Sequence, residues 1–246
     1  MVKLSEEIGE YMNILEPFIN LCNGELESVL IPLVFFVIFC DYPKANSHYT
    51  FTIIRSGRKN WIWGNILFAC SVAAAYIGGI FLLSVVVCQK QCFFYNGWSM
   101  YTRKMKYYYK EELLNYGEDK VIDAGLYTHY RPYEAFALTV LLNILLALAI
   151  AAVFLLCNVL QLRNAGMLLN MLLILAGWIA NLFQNTIMWA FPYANSKLGW
   201  HNKYILEETV VSDGYSLAYF VIVLLVLFYV LFRVIRKTPI YVSDSV

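Results

Sequence analysis

The residues able to do chemistry are few: six cysteines, three histidines and a spaced set of glycines and amides. Cys88 and Cys92 stand four apart. Metal ligation would need more ligands than this pair offers, and His48, His129 and His201 are scattered. A disulfide between the two cysteines would require the helix to break between them. They read as carrying no chemistry, with a redox role left open. Cys22, Cys40, Cys70 and Cys157 read as small apolar residues. No Gly-rich nucleotide loop, H-E-x-x-H pair or G-x-S-x-G elbow occurs. The expectation is no catalytic residue, no cofactor, no metal and no ATP bound in the P-loop manner.

Gly166, Asn170, Gly177, Asn181 and Gln184 recur at spacings of four, seven, four and three. On a helix they form one stripe, with Asn185 beside it. An unpaired amide in lipid costs several kcal/mol, so the stripe should face protein or water. It reads either as inter-helix hydrogen bonding or as a subunit interface or polar pathway. Ser71, Ala74, Ala75, Gly78 and Gly79 contain three small-x-x-x-small pairs, which permit close helix approach.

The elements that must position these residues are apolar. Of 246 residues, 61% are hydrophobic and 14% charged, and a soluble domain would carry nearly twice that share of charge. Runs 61–88, 135–162 and 164–191 hold no charge over 28 residues each, and run 214–232 holds none over 19. As helices they reach about 42 Å and about 28 Å, enough for a hydrocarbon core of about 30 Å. Run 28–40, about 20 Å long as helix, crosses if extended backward through Glu25 and Glu27 or if the bilayer thins. A buried or re-entrant segment is its alternative. The expected architecture is all-α: one polytopic transmembrane bundle with spans near 28–41, 61–88, 135–160, 166–190 and 216–235. No Asp, Glu, Lys or Arg lies within the uncharged runs, which argues against a proton pump or voltage sensor.

Charge placement sets the expected orientation. Five spans put 41–60, Arg163 and the tail after Phe232 on one face, with eight Lys/Arg against Asp41 and Asp244. The other face receives ten Lys/Arg and fifteen Asp/Glu. The positive-inside bias makes the first face cytoplasmic, with the C-terminus, and puts loop 89–134 outside a plasma membrane. The net charge of +1 and the lack of a basic arm make no case for nucleic acid. The start is not a signal peptide, because Glu6, Glu7, Glu10 and Glu16 interrupt it. Stretch 11–22 is apolar enough to lie at an interface or dock on the helices.

Loop 42–60 is the most informative segment. Asn46 or Ser47 suits a helix N-cap, and Gly57 suits the left-handed position that ends one. Between them, 48–56 makes roughly two and a half turns. Tyr49 and Ile53 share one face; Phe51 and Ile54 share a neighbouring one. Arg55, Arg58 and Lys59 follow, then Trp61 and Trp63 at the interface. A short amphipathic helix with a basic end is expected, as a headgroup anchor or as a docking site for a cytoplasmic partner.

Ile31-Pro-Leu-Val-Phe-Phe36, Cys40-Asp-Tyr-Pro43 and Ile54-Arg-Ser-Gly-Arg-Lys-Asn-Trp-Ile-Trp-Gly-Asn65 carry a family resemblance. Together they resemble permease subunits of type two ATP-binding-cassette exporters from Gram-positive bacteria. Leu15-Glu-Pro-Phe18, Phe191-Pro-Tyr-Ala194 and His201 before the last span resemble that group too. The resemblance implies a pore-forming subunit, working as a homodimer or beside a second permease, with a separate ATP-binding-cassette ATPase. It also implies that 42–59 holds the coupling helix, with Tyr49, Phe51, Ile53, Ile54, Arg55, Arg58 and Lys59 as ATPase-coupling residues. Such permeases usually have six spans, and the expectation is that the first is lost, lies before the given start, or is partly replaced by 11–22. ATP hydrolysis is then expected in the partner, not here. The alternatives are a non-transporting immunity or assembly protein and, least favoured, an intramembrane enzyme.

Overall fold

The structure, a computed structural model, describes residues 2, 5–6, 9–43, 47–88, 92–103, 121–183, 186–203 and 208–237. Of residues 47–50, 203 and 208–209 it describes the backbone alone. The chain is an all-α bundle, and its apolar helices make it a membrane protein by length and composition. A short strand β1 (Met12–Asn13) leads into α1 (Glu16–Asn23) and α2 (Glu27–Phe39). Then come α3 (Ser47–Ser56), α4 (Arg58–Cys88), β2 (Cys92–Phe93) and α5 (Ala124–His129). Two long helices follow, α6 (Pro132–Val159) and α7 (Arg163–Leu182). A 3-10 turn (Thr186–Ala190), α8 (Pro192–Asn195) and a second turn (Leu198–Trp200) precede the hairpin β3 (Asn202–Lys203) and β4 (Glu208–Thr209). The last helix is α9 (Asp213–Lys237).

Four helices, α4, α6, α7 and α9, are long and apolar enough to cross a membrane, and α1 with α2 makes a fifth candidate bent by 80°. Helix α6 is the pillar. Pro132 opens it where no N–H is needed, and the Glu134 carboxylate accepts from Arg131 N at 3.2 Å. Two thirds of its most apolar window is buried (67%), against 22% for each of the other three. Those three therefore turn most of their apolar surface outward, including Leu82 and Leu83 on α4, Leu172 on α7 and Leu225 on α9. A surface of that kind is stable against lipid, not water.

Helix α1 is bent by 80° from α2. Phe18 packs edge-on against Phe81 of α4 and Phe136 of α6, and Phe18, Ile19 and Cys22 are fully buried. Docking on the helices, one of the two expectations for 11–22, is thus what this stretch does. Run 28–40 is a helix of 13 residues, as long as its uncharged stretch and no longer. The fourth run departs from expectation. Its helix ends at Leu182, not near 190, and the apolar residues after it form the 3-10 turn. Apolar composition alone cannot separate a span from a buried turn that follows it.

The two ends of the bundle differ. One gathers Arg58, Lys59, Arg163, Arg233, Arg236 and Lys237 and is called the basic end. The other is closed by 92–103, 121–131, 186–203 and β1, and is called the capped end. There β1 and β2 pair in parallel, Met12 with Cys92 and Asn13 with Phe93. Asn13 Nδ2 donates to the Tyr95 and Gly97 carbonyls at 2.6 and 3.0 Å, and the buried Glu16 carboxylate accepts from Ser99 N and Oγ at 2.6 and 2.7 Å.

Candidate functional site

At the basic end, α3 is a separate ten-residue helix between α2 and α4. Gly57, at φ +80°, ends it in the left-handed region that a Cβ disfavours. Its N–H still bonds Ile53 O at 2.9 Å, and α4 restarts at once, with Trp61 N on Gly57 O at 3.0 Å. The turn between the helices is therefore tight. Ile53 is 4% exposed and packs among Trp61, Ile62, Leu231 and Ile235, which ties α3 to α4 and α9. Phe51 and Ile54 are 70% and 64% exposed, and Arg55 and Lys59 are exposed beside them. Arg58 behaves differently. Its Nη1 donates to Ile235 O and Arg236 O, both at 2.8 Å, so it caps the carboxyl end of α9 and complements that helix dipole. Ser56 to Asn60 and Phe232, Ile235 and Arg236 enclose a groove of about 420 Å³. Tyr49 lies on α3, with only its backbone described.

The polar stripe of α7 turns inward where it is described. A Cβ on Gly166 would sit 2.8 Å from Cys157 Cβ, so glycine lets α7 approach α6. Asn170 is 1% exposed and its Nδ2 donates to Ile150 O at 3.3 Å. A Cβ on Gly177 would meet Phe191 and Tyr193 at 3.0 and 3.1 Å. Asn181 is half-buried. Gln184 and Asn185 lie outside the described residues. On α4, nothing lies within 4 Å of a Cβ built on Gly78 or Gly79, so these small residues are not filled by this chain.

The capped end holds a polar network that sequence spacing does not announce. Pro32 sits inside α2 and has no N–H, so the Ser28 carbonyl four residues earlier loses its helical donor. The last-turn carbonyl of Cys22 on α1 lacks one by position. Lys197, fully buried, supplies both: its Nζ donates to Cys22 O at 2.7 Å and to Ser28 O at 3.1 Å, 5.0 Å from the centre of the Tyr193 ring. Burial pushes its ammonium down to about 7. The carbonyls and the ring face oppose that fall, but a neutral amine keeps two N–H groups and can still serve both carbonyls. Ser28 Oγ and Tyr193 OH lie 2.8 Å apart, and burial also raises the Tyr193 phenol. Asn23 joins the same knot, accepting from Gly199 N at 3.1 Å and donating to Thr139 Oγ1 at 3.3 Å.

Beside it, Ser216 Oγ lies 2.9 Å from His201 Nε2, and His201 Nδ1 lies 3.2 Å from Asp213 Oδ1. Those separations resemble a hydrolase triad, but the protons run the wrong way. Asn195 Nδ2 donates to Trp189 O and Phe191 O at 2.8 and 3.0 Å, so its Oδ1 faces Ser216. Ser216 must give its proton to that oxygen, at 3.0 Å, and the contact with His201 is then donated by the ring. Asp213 Oδ1 also accepts from Tyr130 OH at 2.7 Å. Ser216 and His201 are fully buried. A nucleophile needs its proton taken by the imidazole and needs a path to substrate; this serine has neither. The cluster is a clasp between the 192–202 segment and the start of α9.

Among the described residues no group of three or more His, Cys, Asp or Glu is placed to hold a metal ion. No protein-family model, no curated protein and no solved structure matches this chain.

Proposed function

We propose that the chain is the membrane-spanning subunit of an ATP-driven exporter, with α3 as the element that takes up motion from a separate ATPase. The observation that carries this reading is the split in α3. Ile53 anchors it to α4 and α9, while Phe51, Ile54 and Arg55 face away from the bundle at its basic end. A headgroup anchor needs no rigid coupling to two long helices. A force-transmitting element needs both an exposed apolar contact and a stiff connection behind it. The Ile53 cluster, the tight Gly57 turn and the Arg58 cap on α9 supply the connection.

In this reading the basic end faces the cytoplasm, as the positive-inside bias favours. The translocation path runs between this chain and a second permease subunit, since α6 fills the centre of the bundle. The cavity beside Asn65, among Phe39, Ile66, Ala152 and Phe228, measures about 10 Å³, room for one water. ATP-driven closure of the partner rocks the spans as rigid bodies. The test is purification of the tagged chain from native membranes in mild detergent. An ATPase subunit should co-purify and hydrolyse ATP faster with the permease present than alone. Repeated recovery of the chain with no nucleotide-binding protein removes the reading, and leaves an immunity or assembly role.

A further inference from the structure

We infer that Cys88 and Cys92 form a disulfide that clips the capped end to the end of α4. A helix running through both cysteines would forbid the bond, because side chains one turn apart on a regular helix cannot meet the required geometry. The helix does not run through. Cys88 is the last residue of α4, and Cys92 opens β2, whose backbone is extended. The Cys88 and Cys92 side chains interact electrostatically, so the two thiols are near one another. Strand β2 is held in place by β1, with Cys92 opposite Met12. Neither sulfur is therefore on a segment that is free to swing away.

Their burial differs in a useful way. Cys88 is 3% exposed and Cys92 is partly exposed. An external disulfide can thus reach Cys92 first. The Cys92 thiolate attacks one sulfur of that disulfide, forming a mixed disulfide and releasing one thiol. The Cys88 thiolate then attacks the Cys92 sulfur and displaces the second thiol. Two protein thiols are oxidised by two electrons, and the external disulfide is reduced to two thiols that take up the two protons. The co-reactant is any oxidised dithiol–disulfide exchange donor of an oxidising compartment. This rests on the orientation adopted under the proposed function, which puts the capped end outside, where such bonds persist.

Trypsin supplies the readout, because Lys90 lies between the cysteines in sequence. Cells are quenched in acid, free thiols are blocked with N-ethylmaleimide, and the chain is digested without reductant. The expected result is a peptide ending at Lys90 joined to one beginning at Gln91, in most molecules, separating on reduction. Maleimide on both Cys88 and Cys92 in that native sample overturns the proposal. A Cys88→Ser variant, treated in intact cells with a membrane-impermeant maleimide, tells why. Cys92 labelled from outside, with both native thiols free, means the orientation stands and the disulfide fails alone. Cys92 labelled only after permeabilisation means the orientation fails and the disulfide falls with it.

Discussion

Lys197 is the residue whose environment makes the sharpest demand on experiment. An unfolded lysine keeps its ordinary value of 10.5, whereas burial brings the folded one to about 7. Between those values the unfolded chain holds more protons than the folded one, so stability rises with pH. The gain is fully absent below about 7 and complete above about 10. The slope is at most about 1.4 kcal/mol per pH unit, and the two carbonyls, which favour the ammonium, narrow the window from its lower end. Unfolding in detergent from pH 7 to 9.5 should show a rise of about 1 kcal/mol per pH unit that Lys197→Met abolishes. Parallel curves for the two proteins would sink it. None of this was legible from spacing, because Lys197 and Cys22 stand 175 residues apart. One half was readable in principle: Pro32 announces that the Ser28 carbonyl needs a donor, though not which residue brings it.

Helices divide into those the sequence marks and those it does not. The four long ones are marked by the absence of charge, and α3 by Gly57 and the alternation of its apolar faces. Its helix is Ser47–Ser56, one residue longer than expected. The clasp of His201, Asp213 and Ser216 is unmarked, since it joins a loop to a helix start and needs tertiary packing to exist. On α3, the expectation treats Tyr49, Phe51, Ile53, Ile54, Arg55, Arg58 and Lys59 as one set; the structure divides those whose side chains are described. Ile53→Ala removes packing on α4 and α9 and should cost about 2 kcal/mol of stability. Phe51→Asp and Ile54→Asp alter exposed positions and should leave the unfolding midpoint within about 0.5 kcal/mol. Both should abolish permease-stimulated ATP hydrolysis. If Phe51→Asp and Ile54→Asp leave that hydrolysis intact, α3 is an anchor and not a coupling element.

For the whole molecule the open number is how many times it crosses. Helix α2 gives about 20 Å of rise, short of a hydrocarbon core of about 30 Å, and α1 adds little height because the bend is 80°. The protein makes up the difference itself. Residues 192–199 are all buried, and Tyr193 and Lys197 sit against the bend, so its polar backbone meets protein and not lipid. At the other end Asp41 pairs with Arg163 at the start of α7, and Tyr42 donates to Asn65 of α4, which holds the carboxyl end of α2 level with the basic ends of its neighbours. A crossing α2 would make five spans and put the termini on opposite faces, against four spans without it. Epitope tags at the two ends, probed with protease or antibody on intact cells and then on permeabilised ones, decide it. One tag should be reached from outside and the other only after permeabilisation, with the C-terminal tag the protected one. Two tags protected together would make α1 and α2 a re-entrant pair and reduce the bundle to four spans.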